Sequence, residues 1–220
     1  MQSLHPAQQL VIGLLPMVFA ITIHEVAHGW MADRLGDPTA RMLGRITLNP
    51  IKHVDPIGTL LVPMVTWLVA GLPFGWAKPV PVTPANLRRH RYGMALVAAA
   101  GPVSNLVQAF AWAFLTRLVL EQREALGWVT DPLLLMGLAG ISFNISLAVL
   151  NLLPVLPLDG GRILDSLLPP RWSARYSQLE PYGLLIVAGL IVTKLLLVLM
   201  APPYHAVKGL VASAAGLEGL

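Results

Sequence analysis

His24, Glu25 and His28 stand in the order His24-Glu25-Val26-Ala27-His28. In a helix, residues four apart lie on one face, one turn apart. Two imidazoles at that spacing address one metal ion from the same side. Glu25 sits beside that face, placed to take a proton from a metal-activated water without itself being a ligand, which is the arrangement of metal-assisted hydrolysis. The motif lies inside an apolar run from about Leu10 to Met31. Ionisable groups in such a run are costly and mark function. The plainer reading is a polar patch packed on another helix, or a histidine bonded to a backbone carbonyl.

A catalytic zinc takes three protein ligands and leaves its fourth position to water. The extended motif with a further Gly and His fails, because Met31 and Arg34 occupy those positions. Most of the other acids lie in polar loops. Asp159 differs, since it ends the stretch Asn151-Leu152-Leu153-Pro154-Val155-Leu156-Pro157-Leu158-Asp159-Gly160-Gly161 just after an apolar segment. Two prolines break the helix there, and two glycines permit tight backbone turns. A broken helix with one carboxylate suits a metal site buried in protein. The alternative for Asp159 is an N-cap for the following helix. Asn151 has two open roles, a hydrogen bond to a developing oxyanion or a bond between helices. Asn144, on nearly the same helical face, reads as structural. His5, His90 and His205 read as solvated. His53, between Asn49-Pro50 and Asp55-Pro56, either lines the site or belongs to a turn.

The elements that must position these residues follow from the composition. Of 220 residues, 55% are hydrophobic and 12% charged, and the mean hydropathy is +0.68. Soluble domains carry about a quarter charged residues, so the solvent expected here is a lipid bilayer. Five apolar segments stand out: Leu10 to Met31, Ile57 to Pro73, Met94 to Leu120, Leu133 to Leu153 and Gly183 to Met200. A bilayer core needs roughly 20 apolar residues in a helix. The second segment is short and carries Pro63 and Gly71. The tail from Ala201 to Leu220 reads as a surface helix or a short extra span. The first segment lacks a basic n-region, so it reads as a retained span and not as a signal peptide. The chain reads as one domain over residues 1–220.

The net charge is +4 and the pI about 9.8. Eleven of the 15 basic residues fall in three loops, after segments one, two and four. Basic loops of this kind set membrane orientation, and this excludes nucleic acid as the partner. If segment two dips in and returns, all three loops face one side, which the positive-inside rule makes cytoplasmic. The same topology ends segments one and four on one side, as a shared metal requires. With no cysteine, disulfides and thiolate chemistry are excluded.

His24 to His28 together with Asn151 to Gly161 resemble the site-2 protease family of intramembrane metallopeptidases (peptidase family M50). Ala100-Gly101-Pro102-Val103-Ser104-Asn105 matches that family's A-G-P-x-x-N feature. Gly75-Trp76-Ala77-Lys78-Pro79-Val80 and Leu48-Asn49-Pro50 with His53 and Asp55-Pro56 look like its short bacterial and archaeal branch. The resemblance covers about Leu10 to Asp165. It implies a zinc endopeptidase, with one Zn2+ per chain, that cuts transmembrane segments of other proteins. It implies His24, His28 and Asp159 as ligands, Glu25 as general base and a role for Asn151 near the substrate carbonyl. The chain departs from larger members in having no stretch suited to a PDZ domain and no span before the motif.

The expected fold is all-α: a polytopic bundle of about four to six transmembrane helices, a short re-entrant segment and a small β-hairpin. Leu43 to Leu48 and Trp76 to Val82 are the strand candidates, and an exposed edge there would hold an unwound substrate by β-addition. The expected location is a prokaryotic cell membrane, with the active site toward the cytoplasm. The rival readings are a metal-ion transporter, a non-catalytic membrane-binding relative, and a hydrolase of lipid or prenylated protein. A transporter would distribute polar ligands along several spans, whereas here they converge at one depth. A non-catalytic relative would be expected to lack Glu25 or a ligand.

Overall fold

The computed structural model describes residues 6–62 and 77–218, and every regular element among them is helical. The long helices are α1 (Pro6–Arg34), α2 (His90–Glu121) and α3 (Thr130–Asn151). After these come α4 (Asp159–Leu167), α5 (Pro170–Tyr176), α6 (Gly183–Val192) and α7 (Leu195–Ala215). Four stretches are long and apolar enough to cross a bilayer: Val11–Arg34, His90–Glu121, Arg123–Asn151 and Leu195–Ala215. Helices suit that solvent because each satisfies its own backbone polar groups.

The fifth apolar segment, expected from Gly183 to Met200, is not one helix. α6 stops at Thr193, and Lys194 adopts φ 60° and ψ 5°. A left-handed residue with a β-carbon cannot continue a right-handed helix. The chain restarts as α7, so the tail beyond Ala201 belongs to a spanning helix. α7 ends at Gly216, also left-handed, with the Leu217 N–H donating to the Ala212 carbonyl at 2.8 Å. This is a glycine C-cap that satisfies the last carbonyls.

The bundle core joins α2, α3 and α7 through Ala109, Ala113, Ile141, Ile145, Val149, Val211 and Ala215. Small residues let membrane helices approach closely where lipid offers no hydrophobic drive between them. A β-carbon on Gly137 would strike the Thr116 side chain, and one on Gly140 would strike the Trp112 ring.

Helices α1 and α2 meet on one side of the bundle. The Arg88 N–H donates to the Leu35 carbonyl at 3.0 Å. Asp37, fully buried, accepts from the Thr39 N–H and hydroxyl, the Asn86 amide and the Thr83 N–H. These bonds lash the turn after α1 to the segment before α2. The Lys78 N–H donates to the His53 carbonyl at 2.8 Å, so the chain departs near His53 and returns to the same place.

Segment two is described only as far as Val62, and the rest of its expected re-entrant course lies outside the described residues. Its described start, Pro56–Leu61, is a short helical stretch capped by Asp55, which accepts from the Ile57 and Gly58 N–H groups. The expected β-hairpin is absent among the described residues. Leu43 to Leu48 forms turns and bends, and 77–83 is irregular and joins no strand ladder. Pro79 and Pro81 have no N–H to offer a ladder. The Arg45 guanidinium takes the Lys78 and Pro79 carbonyls at 2.9 and 3.3 Å.

Candidate metal centre

His24 and His28 occupy successive turns near the C-terminal end of α1, and Asp159 is the first residue of α4. The Nε2 atoms of the two histidines lie 3.1 Å apart. Asp159 Oδ2 lies 3.2 Å from His24 Nε2 and 3.4 Å from His28 Nε2. Asp159 is not an N-cap: Leu158 holds that position and no side chain caps the helix. Its carboxylate turns toward the imidazoles instead.

The protonation of the rings follows from their far sides. His28 Nδ1 lies 2.7 Å from the Val97 carbonyl, which only accepts, so Nδ1 carries the proton. His24 Nδ1 lies 2.6 Å from Asn105 Oδ1. The Asn105 amide nitrogen donates to the Ala20 carbonyl and to Asn144 Oδ1, so Oδ1 is left as the acceptor and His24 Nδ1 as the donor. With both rings neutral, as metal ligation requires, the two Nε2 lone pairs point at the carboxylate oxygen. Asp159 Oδ2 is buried without a hydrogen-bond partner.

Three lone-pair atoms converging without a proton between them repel one another unless a cation sits among them. Ligands about 2.0–2.1 Å from a tetrahedral zinc stand roughly 3.3 Å from each other. The three separations here match that figure. Two imidazoles and one carboxylate also suit zinc better than an all-oxygen cation such as magnesium or calcium.

The surroundings make room for this cluster. A β-carbon on Gly101 of α2 would lie 2.5 Å from His28 Nε2 and 2.6 Å from His24 Cε1. Neither Gly160 nor Gly161 has a positive φ, so they do not serve the left-handed turns that a glycine pair suggests. They supply space, because β-carbons there would strike the backbone of Leu152 to Leu156. The Arg91 guanidinium donates to the Asp165 and Leu168 carbonyls, which holds α4 against α2.

Glu25 is half-buried, and its Oε2 accepts the Val80 N–H at 2.8 Å. Asn151 lies at the end of α3 with its amide donating to the Leu147 carbonyl one turn back at 3.0 Å. His53 stands outside the histidine–aspartate cluster. It is buried, with Nε2 donating to the Thr47 carbonyl at 2.9 Å. The sequence reading assigned no task to Gly101 or Asn105 and took Asn144 as structural. In the structure all three support the imidazoles, directly or through one intermediate. The signal that pointed to the first two was the Ala100 to Asn105 motif.

Residues 120–193 match the family model described as peptidase family M50. The chain is 40% identical over 195 residues to YwhC of Bacillus subtilis (strain 168), covering 87% of this chain and 84% of that protein. It is 30% identical over 184 residues to Rip2 of Mycolicibacterium smegmatis, covering 83% and 67% respectively. Rip2 of Mycobacterium tuberculosis (strain H37Rv) is 28% identical over 187 residues, covering 84% and 68%. The names of all three assign them to the zinc metalloproteases. No solved structure matches the chain.

Proposed function

The chain belongs to peptidase family M50, and on that premise we propose that His24, His28 and Asp159 hold its zinc and that Glu25 is its general base. It is a membrane protein and a zinc-dependent endopeptidase of the site-2 type, acting on membrane-protein substrates within the bilayer. The observation that carries the ligand assignment is the convergence of three lone-pair atoms at 3.1–3.4 Å.

When bound, zinc supplies a Lewis acid that polarises a scissile carbonyl and brings the pKa of water toward neutrality. The chain's own residues do the rest. Val97 and Asn105 fix the proton on Nδ1 of each imidazole and hold the ring's aim, as orienting partners of metal-binding histidines do. Glu25 takes a proton from the attacking water and passes it to the leaving amine. Water is the nucleophile, so no covalent intermediate forms. Asn151 donates to the developing oxyanion, a contact typically worth a few kcal/mol. Its amide nitrogen carries two N–H groups, so one serves the Leu147 carbonyl and the second is left to donate.

The segment from Ile57 to Pro73 is re-entrant, a reading supported by the bond between His53 and Lys78 on either side of it. The active site then faces the cytoplasm, supported by the basic residues clustered on that side.

The test is cleavage of a panel of single-pass membrane proteins by the purified chain and by Glu25→Gln, with zinc content measured in both. The expected result is cutting within a transmembrane segment by the native chain. Glu25→Gln should keep its zinc and lose at least about a thousandfold in kcat, since it removes both proton transfers. Cutting by Glu25→Gln at the native rate would overturn the base assignment.

A further inference from the structure

Pro79-Val80-Pro81 places one backbone N–H between two residues that have none. That N–H donates to Glu25 Oε2 at 2.8 Å. Both sides of the segment are anchored. Lys78 bonds the His53 carbonyl, Arg45 holds the Lys78 and Pro79 carbonyls, and the Thr83 N–H donates to Asp37 at 2.6 Å.

The side chain of Val80 docks on the same helix that carries Glu25. Val80 is 7% exposed. Its Cγ1 lies 3.0 Å from where a β-carbon on Gly29 would stand. Gly29 follows Glu25 by four residues, so the two share a face of α1 one turn apart. One residue therefore grips two successive turns, with its isopropyl group against Gly29 and its amide on Glu25. The missing β-carbon at Gly29 sets how close the segment comes.

We propose that Val80 is a positioning residue for the general base, its amide fixing Glu25 Oε2 so that Oε1 faces the reacting water. The proposal rests on the reading of the chain as a protease with Glu25 as base. A glutamate has three side-chain torsions, and anchoring one oxygen removes conformers in which the other misses the water. Functional side chains gain when a supporting contact locks their rotamer in this way. Oε1 has no hydrogen-bond partner among the described residues, so the anchored carboxylate keeps a free oxygen for proton transfer. The same contact means that the Val80 amide is not available to a substrate strand.

Val80→Pro deletes the N–H and exchanges the isopropyl group for a proline ring. Val80 already precedes a proline, which biases it to the extended backbone region that proline itself accepts. Val80→Ala keeps the N–H and removes the isopropyl group. Both variants are assayed as full chains in detergent with zinc content measured. Val80→Pro should bind zinc as the native chain does and lose about 10- to 100-fold in kcat, the usual effect of one hydrogen bond to a charged group. KM should stay within about threefold, because substrate binding does not use this amide, and Val80→Ala should lose far less kcat. A second readout needs no turnover. Residues 79–81 contain one exchangeable amide, so hydrogen exchange there reports Val80 alone. Exchange should be slow in the native chain and at least about tenfold faster in Glu25→Ala, with the Thr83 amide unchanged. Native or higher kcat in Val80→Pro would overturn the proposal, the latter by making the segment a plug on the base. Equal exchange at Val80 in both chains would also overturn it. If the native chain cuts nothing, the protease reading fails by itself, and exchange still decides whether this amide holds Glu25.

Discussion

Asn105 has no exposed surface and lies in the middle of a membrane-spanning helix, where an amide without partners would cost several kcal/mol. Its three bonds, to His24, Ala20 and Asn144, account for that placement. Asn144 continues the chain by donating to the Gly140 carbonyl at 2.9 Å. Because Asn105 Oδ1 accepts from His24 Nδ1, the neutral ring presents its lone pair at Nε2. Removing the acceptor leaves a buried N–H unpaired and releases the ring's tautomer and tilt. Asn105→Ala should weaken zinc binding by about 10- to 100-fold, measured by competition with a chromogenic chelator. Gly101→Ala should weaken it further, since its methyl group would enter the space of both imidazoles. Native affinity in Asn105→Ala would mean that packing alone sets the ring.

The element that brings the base its amide partner is the strap of residues 77–88, and its anchor is Asp37. Burial pushes the Asp37 carboxyl upward, and hydrogen bonds from Thr39, Asn86 and Thr83 more than reverse this, leaving it below its ordinary 3.8. A depressed folded-state pKa stabilises the fold above the unfolded value and loses that contribution as pH falls through the lower folded value. Asp37→Asn should therefore lower the thermal midpoint at pH 7, by an amount equivalent to about 1–3 kcal/mol. The deficit should shrink as pH drops below 3.8. An equal deficit at pH 7 and pH 3 would assign the loss to packing. Asp37 read as a loop acid because its partners at 83 and 86 lie more than forty residues away. The histidine pair was legible because its partnership is local, at a fixed helical spacing. Asp159 was legible by its position after a broken helix. Gly101 and Asn105 were not assigned, since their task exists only once α2 lies against α1. The break at Lys194 was also hidden, because apolar residues run on both sides of it and hydropathy does not register one left-handed residue. The expected strand from Trp76 to Val82 followed from proline tolerance at sheet edges, but the bonds of its described residues go to side chains and loops instead of a ladder.

At the scale of the whole molecule, three connections converge on one side of the bundle: the turn after α1, the strap before α2, and the loop from α3 into α4. The His24, His28 and Asp159 cluster lies at the ends of α1 and α3 that lead into these connections, whose sequences carry most of the basic residues. The short turn between α2 and α3 lies on the opposite side, where Glu121, Glu124 and Asp131 accompany Arg123. The charge difference predicts that the ligand side is cytoplasmic. The chain has no cysteine, so a single introduced thiol reports its own location against no background. Lys52, Arg171 and Glu124 are all exposed, and their replacement by cysteine disturbs no bond described above. With a membrane-impermeant maleimide on intact cells, Glu124→Cys should label at once. Lys52→Cys and Arg171→Cys should label only after permeabilisation. The pair also tests the path between His53 and Lys78. A single crossing there would separate residue 52 from residue 171, and the two thiols would label from opposite sides. Labelling of both from outside would invert the orientation while leaving the metal centre intact, because the cluster requires only that α1 and α3 end together. Labelling of both from inside places the water, the base and the unwound substrate at the cytoplasmic end of the bundle, where a cut segment is released from the membrane.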